Sequence, residues 1–232
     1  MIEVFSGEFW AALVEIIAIN VILSGDNALV IALACRGLPP RERKLGVLFG
    51  TLAAIVLRIL FAIAIVYVLK IPALMLIGSL ALMWIAIKLV QPEEGDGHGD
   101  GVKASTTIWQ AVKIVCVADA VMSLDNVIAV AAAAKGDLLL LSLGIAISIP
   151  PVVLGSTVML YILDRFPILV IAGSGLLGYI AGELAIEDKF VHQWFEDHHI
   201  TIPAMLPYVT CALVVAIGLY LRKRAAIRQA KV

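Results

Sequence analysis

The stretch Trp10-Ala-Ala-Leu-Val-Glu-Ile-Ile-Ala-Ile-Asn20-Val-Ile-Leu-Ser24-Gly-Asp26-Asn27 returns later in the chain as Trp109-Gln-Ala-Val-Lys-Ile-Val-Cys-Val-Ala-Asp119-Ala-Val-Met-Ser123-Leu-Asp125-Asn126. The offset is 99 positions throughout, and it runs on through Arg36-Gly37 against Lys135-Gly136. A second match sits at offset 95: Ile71-Pro72 through Ile77-Gly78-Ser79 and Lys88-Leu89 against Phe166-Pro167 through Ala172-Gly173-Ser174 and Glu183-Leu184. The chain is therefore a doubled unit whose second copy has lost four residues from a loop.

The solvent around these units is lipid. Of the 232 residues, 62% are hydrophobic and 15% charged, which leaves too little polar surface to cover a water-soluble globule. Apolar stretches long enough to cross about 30 Å of hydrocarbon recur at residues 8–35, 44–70, 72–91, 107–134, 138–163, 166–187 and 204–222. The expected fold is an all-α polytopic membrane protein of about seven transmembrane helices. Each unit holds three spans, and an odd number of spans forces the second unit to enter the membrane from the opposite side. The organisation predicted is a 3+3 inverted repeat plus one extra helix. Its first unit covers residues 1–91 and its second 107–187, and 188–203 forms an external loop ahead of a seventh helix and basic tail at 204–232. Between the units, Gln91-Pro-Glu-Glu-Gly-Asp-Gly-His-Gly-Asp-Gly101 reads as a flexible, solvated linker within 92–106.

Charge sorting gives the orientation. Arg36, Arg41, Arg43 and Lys44 follow the first span, and Arg222, Lys223, Arg224, Arg228 and Lys231 follow the seventh, so both exits are expected on the cytoplasmic side. The N-terminus then faces outward, and with Glu3 and Glu8 but no Lys or Arg before the first span it has no signal-peptide n-region. A net charge of −1, sorted in this way, carries no signal about nucleic acid, and no nucleic-acid partner is expected. Cys35, Cys116 and Cys211 lie in or beside apolar spans and form no Cys-x-x-Cys, which argues against a disulfide framework or a thiolate metal site.

A carboxylate at mid-bilayer costs at least about 2.5–3.5 kcal/mol on insertion scales, so each needs a partner, an ion or a wet cavity. Asp26 and Asp125 occupy one slot in the two units, each with Ser two residues before (Ser24, Ser123) and Asn directly after (Asn27, Asn126). Carboxylate, amide and hydroxyl oxygens suit hard divalent cations such as Mg²⁺, Ca²⁺ or Mn²⁺; zinc or copper would favour the thiolate and imidazole ligands these spans lack. The plainer reading is that Asp-Asn caps a broken helix loosened by Gly25. In inverted-repeat transporters the two readings coincide, because a helix break exposes backbone groups at the ion.

On regular helices Asn20, Ser24 and Asn27 share a face, as do Asp119, Ser123 and Asn126, with Asp26 and Asp125 turned about 100° away. Straight helices would hold Asp26 and Asp125 about 15 Å apart, too far for one ion. Arg58, near the middle of the second span, is the natural countercharge for one aspartate when no metal is bound. Glu15, Lys88, Lys113 and Glu183 lie near span ends, where snorkelling is the default. Between Glu187 and His199, acidic and imidazole groups mix with Trp194 and Phe195, which suits interfacial anchoring and offers an alternative role in metal capture. Gly173-x-Gly175 lacks a phosphate-binding context, and no organic cofactor is expected.

At Ile22-Leu-Ser-Gly-Asp-Asn-Ala-Leu-Val30 and Met122-Ser-Leu-Asp-Asn-Val-Ile-Ala-Val130 the chain resembles the TerC family of integral membrane proteins, in particular its short bacterial branch. The resemblance covers nearly the whole chain. It implies a bacterial inner-membrane protein that exports Mn²⁺ from the cytoplasm and supplies it to exported metal-requiring enzymes, with Asp26, Asn27, Asp125 and Asn126 at the ion path. The choice of manganese over magnesium or calcium rests on this resemblance alone.

Other functions fit parts of the pattern. Two aspartates on separate membrane helices also describe an intramembrane aspartyl protease, but the Gly-x-Gly-Asp such enzymes carry is absent. Export of another small solute, or an accessory role at the secretion machinery with a structural metal, are further readings. The sequence is silent on oligomeric state.

Overall fold

A computed structural model describes residues 6–68, 71, 73–90, 107–134, 137–198 and 204–229, without the side chains of 65–68, 125, 127–129, 131–132, 138 and 225–229. The expected linker at 92–106 and the Lys135-Gly136 match lie outside the described residues. Among those described, the protein is all-helical, with ten helices and no strand. They are α1 (Gly7–Ile22), α2 (Gly25–Cys35), α3 (Pro40–Val68), α4 (Leu74–Val90), α5 (Ile108–Ala133), α6 (Leu138–Ile147), α7 (Ile149–Arg165), α8 (Ile168–Glu187), α9 (Lys189–Asp197) and α10 (Leu206–Gln229). Within the described residues four helices are long and apolar enough to cross a membrane, and five if the bent α1–α2 pair is one span; α4 is a shorter apolar helix.

Two interruptions shape the bundle. Between α1 and α2 the axis bends by 48° at Leu23-Ser24. There the i→i−4 ladder gives way to a tighter turn, Ser24 N–H bonding Val21 C=O at 3.3 Å before Ala28 N–H picks up Ser24 C=O at 3.0 Å. Gly25, the weak point named from the sequence, directly follows this turn and opens α2. A Cβ there would meet nothing within 4 Å, so no close contact demands a glycine. Gly25→Ala is expected to keep the bend and change unfolding stability by no more than about 0.5 kcal/mol; a loss of several times that, read by thermal unfolding in detergent, would show that the break needs the glycine.

The corresponding Ser123-Leu-Asp-Asn126 segment is not broken, since α5 runs continuously through it. The second interruption falls instead at Ser148, between α6 and α7. Pro150 and Pro151 lack the N–H groups that would bond the carbonyls of Ala146 and Ile147, so the ladder must lapse there. The Ser148 hydroxyl fills part of the gap by donating to Ile145 C=O at 2.6 Å.

Packing is helix on helix: α1 lies against α6, α2 against α7, α3 along α5, and α4 along α8, with α10 covering α8 and α4. Small residues permit the close approaches. Gly78 of α4 faces Val121 of α5, Gly173 of α8 faces Leu29 and Leu33 of α2, and Gly178 of α8 faces Val214 of α10. In lipid, where apolar contact gains little over the solvent, such close backbone packing is a main source of helix association. Large apolar side chains including Trp10, Trp109, Trp84 and Tyr161 point outward, as a lipid-facing surface requires.

The segment expected as an external loop, 188–203, contains a helix. Asp188 is 2% exposed and stands at two helix starts, accepting from Phe190 N–H at 2.9 Å on α9 and from Leu76 N–H at 3.0 Å on α4. A carboxylate placed there satisfies otherwise orphaned N–H groups and opposes the positive ends of both helices.

Candidate metal-ion site

At the centre of the bundle Arg58 of α3 is 4% exposed, and its guanidinium is held on every side. Nη2 donates to Asp119 Oδ1 of α5 at 2.7 Å, and Nε donates to Ser123 Oγ one turn on at 3.1 Å. Nη1 donates to Asn20 Oδ1 of α1 at 2.6 Å and to Ser24 Oγ, at the α1–α2 break, at 3.2 Å. Ser123 Oγ in turn donates to Asp119 Oδ2 at 3.1 Å, and Asn20 Nδ2 donates to Ser148 Oγ at the α6 end. Four side-chain oxygens, from Asn20 of α1, Ser24 at the break and Asp119 and Ser123 of α5, thus converge on one cation.

Of the polar face read from the sequence, Asn20 and Ser24 meet Asp119 and Ser123 at Arg58. Asn27, beyond the 48° bend, makes no hydrogen bond with them. It is nevertheless 4% exposed, and neither Oδ1 nor Nδ2 has a partner among the described residues. Leaving such an amide unsatisfied costs about 1–3 kcal/mol, so a buried Asn in this state calls for a ligand or a function.

Asp26 stands in the first turn of α2, half-buried, and its carboxylate accepts Asn27 N–H at 2.8 Å. Of the capping considered from sequence, in which both residues accept free N–H groups, only this bond of Asp26 is present, and Asn27 Oδ1 accepts none among the described residues. Asp26 lies within electrostatic reach of Arg58 and Asp119, which joins it to the same polar region. Asn126 Nδ2 donates to Leu23 C=O at 3.3 Å, so the second copy's asparagine satisfies a carbonyl at the first copy's break. The side chain of Asp125 lies outside those described, and its separation from Asp26 with it.

Arg58 is the countercharge foreseen, and Asp119 is the aspartate it pairs with. Ser148, fully buried and bonded to Asn20, was missed; the Pro150-Pro151 pair inside an apolar run was the signal that a kink would place a polar group there. Glu15, Lys113 and Glu183 are exposed, and Lys88 sits 5.2 Å from the centre of the Trp84 ring, all away from the cluster. On α9, His198 stacks on Trp194 and His192 lies 4.0 Å from Glu196, but no group of three His, Cys, Asp or Glu side chains able to hold a metal occurs among the described residues. His199 lies outside them. The oxygens at the centre are instead those of one carboxylate, one amide and two hydroxyls, a donor chemistry of the kind hard cations take.

A polar core of this kind in an apolar bundle accompanies a family match from residue 5 to 226, to the integral membrane protein TerC family. The chain belongs to the TerC family. Among its relatives, the TerC chain is 38% identical over 92% of its length to a Bacillus subtilis protein described as the uncharacterized membrane protein YjbE, and covers 96% of it. It is 27% identical to the B. subtilis membrane protein YceF over 76% of this chain and 71% of that one. It is also 27% identical to the longer Escherichia coli UPF0053 protein YegH, of which it spans 37%. No solved structure matches.

Proposed function

We propose that this TerC protein is a transporter that exports a divalent cation, Mn²⁺ in the first place, through the centre of the bundle. The observation that carries the proposal is the buried Arg58–Asp119 pair ringed by Asn20, Ser24 and Ser123. Arg58 is a tethered cation, and it takes up the oxygens that a metal ion would need. On arrival of Mn²⁺ the guanidinium shifts off these oxygens, and Asp119, Asn20 and the two serines become ligands on a path that Asp26, Asn27, Asp125 and Asn126 also line; on release it returns. The empty carrier then never holds a lone buried carboxylate. Mn²⁺ as cargo comes from the family resemblance, and the oxygen-rich donor set is compatible with it.

The same reading makes the bundle a 3+3 inverted repeat of seven spans, formed by α1–α2, α3, α4, α5, α6–α7, α8 and α10. The helix pairing supports it. Exchanging the two units turns the contact of α1–α2 with α6–α7 into that of α5 with α3, and returns α4 with α8 to itself. Gly78 against α5 likewise exchanges with Gly173 against α2. Arg36, Arg43 and Arg222 line one cavity, which suits exits of the first and seventh spans on one side, taken as cytoplasmic.

The deciding measurement is Mn²⁺ accumulation in cells or vesicles carrying the wild type, Asp26→Asn or Asp125→Asn. Export is expected from the wild type and lost or strongly reduced in both variants. Equal manganese handling by all three would overturn the proposal, and a membrane substrate cleaved by the wild type alone would favour the protease.

A further inference from the structure

The face of α3 that carries Arg58 runs back toward the start of the helix through Ala54, Thr51 and Val47, all buried. Recurrence at three and four residues keeps them on one stripe. Thr51 is 1% exposed, and its hydroxyl has no hydrogen-bond partner among the described residues. The default acceptor for a hydroxyl inside a helix is the carbonyl four residues back. Ser156, Thr157 and Thr210 all take it, at 2.8, 2.8 and 3.0 Å. Thr51 does not, so it holds a buried donor and acceptor open at a cost.

The contacts of α3 fix what stands level with this hydroxyl. Gly46 faces Cys35 and Arg58 bonds Ser24, so α2 runs antiparallel beside α3, with Asn27 level with Ala54. Gly50 faces Val115 and Arg58 bonds Ser123, so α5 runs parallel to α3, with Asp119 level with Ala54 as well. Thr51 therefore lies one turn, about 4.5 Å along the axis, from the level shared by Asn27 and Asp119. It lies on the side where α3 begins, next to Arg41, Arg43 and Lys44. Asn27 is open in the same way, at both Oδ1 and Nδ2. Its repeat counterpart Asn126, beyond Arg58 on the other side, donates to Leu23 C=O. The open groups of these helices thus lie on the basic-end side of the Arg58 cluster. Ser174, also buried without a partner among the described residues, belongs to α8, which meets the different α2 face of Leu29 and Leu33.

We propose that Thr51 and Asn27 form a loading station, where neutral hydroxyl and amide oxygens hold a partly hydrated divalent cation before it displaces Arg58. The station rests on the export reading above and adds to it a first stop and a side of entry. Small hard cations dehydrate reluctantly and keep several waters, so a stop built of neutral oxygens lets the shell be exchanged in steps. While the ion waits there, Asp119 stays paired with Arg58. Asp26, directly before Asn27, and Asp119, one turn on from Thr51, then supply the negative charge that draws the ion inward.

The test is Mn²⁺ accumulation by everted membrane vesicles carrying the full chain, measured over a range of Mn²⁺ concentrations, with thermal unfolding of the same proteins in detergent. Thr51→Val keeps the shape and removes the hydroxyl. It is expected to raise the half-saturating Mn²⁺ concentration about five-fold at an unchanged maximal rate, and to unfold no earlier than the wild type, since an unpaired hydroxyl has gone. Thr51→Ser, which keeps the hydroxyl, is expected to restore the wild-type half-saturation. A Thr51→Val protein that saturates as the wild type does would overturn the station and leave the export reading standing. So would a Thr51→Val protein that loses stability and maximal rate without a shift in half-saturation, or equal impairment of the two variants, because Thr51 would then be packing alone. Failure of wild-type vesicles to accumulate Mn²⁺ would overturn the export reading itself, and the station with it.

Discussion

Arg58→Met is expected to destabilise the folded protein by about 3–5 kcal/mol, because it strands Asp119 as a buried carboxylate whose strongest hydrogen-bond donor has gone. Ser123 would still donate to Asp119 Oδ2, but a hydroxyl supplies no countercharge. In the wild type the pair is screened from water, with Arg58 4% and Asp119 5% exposed. The double variant Arg58→Met/Asp119→Leu removes both charges and is expected to recover most of that loss, so the two changes should be far from additive. Thermal unfolding of the detergent-solubilised variants measures this. Near-wild-type stability of the Arg58→Met protein would show that the pair is already solvated and would remove its claim to be a buried centre. The double variant also separates folding from transport, because it is expected to fold and to carry no manganese.

Gly182→Val is expected to cost about 3 kcal/mol by forcing α8 away from α10. A Cβ on Gly182 would lie 2.5 Å from Pro207 Cα and closer still to Thr210 Oγ1. The Pro207 contact is backbone, and backbone cannot rotate aside as a side chain can. α10 also approaches α8 closely at Gly178 and Gly175. The matched control is Gly7→Ala, since a Cβ there would meet nothing within 4 Å. Unfolding of both variants at the same temperature would mean that α10 does not need the close contact.

The lipid-embedded helices, the duplicated unit and the intramembrane polar residues could all be read along the chain. Helix limits fall within a few residues of the apolar stretches, except that α3 starts earlier, at Pro40, and α10 continues to Gln229 beyond its apolar part. Asn20, Ser24, Asp119 and Ser123 were readable because a polar side chain in lipid is costly and therefore conspicuous. Repetition at a fixed offset drew attention to the same positions twice. The two copies of the Asp-Asn pair differ in backbone: the helix breaks just before Asp26 and runs on past Asp125.

The sequence by itself thus determined the solvent of this protein, its helical class and the slots that carry buried polarity, because hydropathy and repetition are local properties of a string. Only the tertiary structure decided which of those groups meet. Arg58 could have served any aspartate, yet its partner is 61 positions away on α5; Asn20 reaches Ser148 across 128 positions, and Arg43 reaches Asp164 across 121. Such pairings follow from how kinked helices cross one another: at the 48° bend Ser24 bonds Arg58, while Asn27, three residues on, is buried without a hydrogen bond.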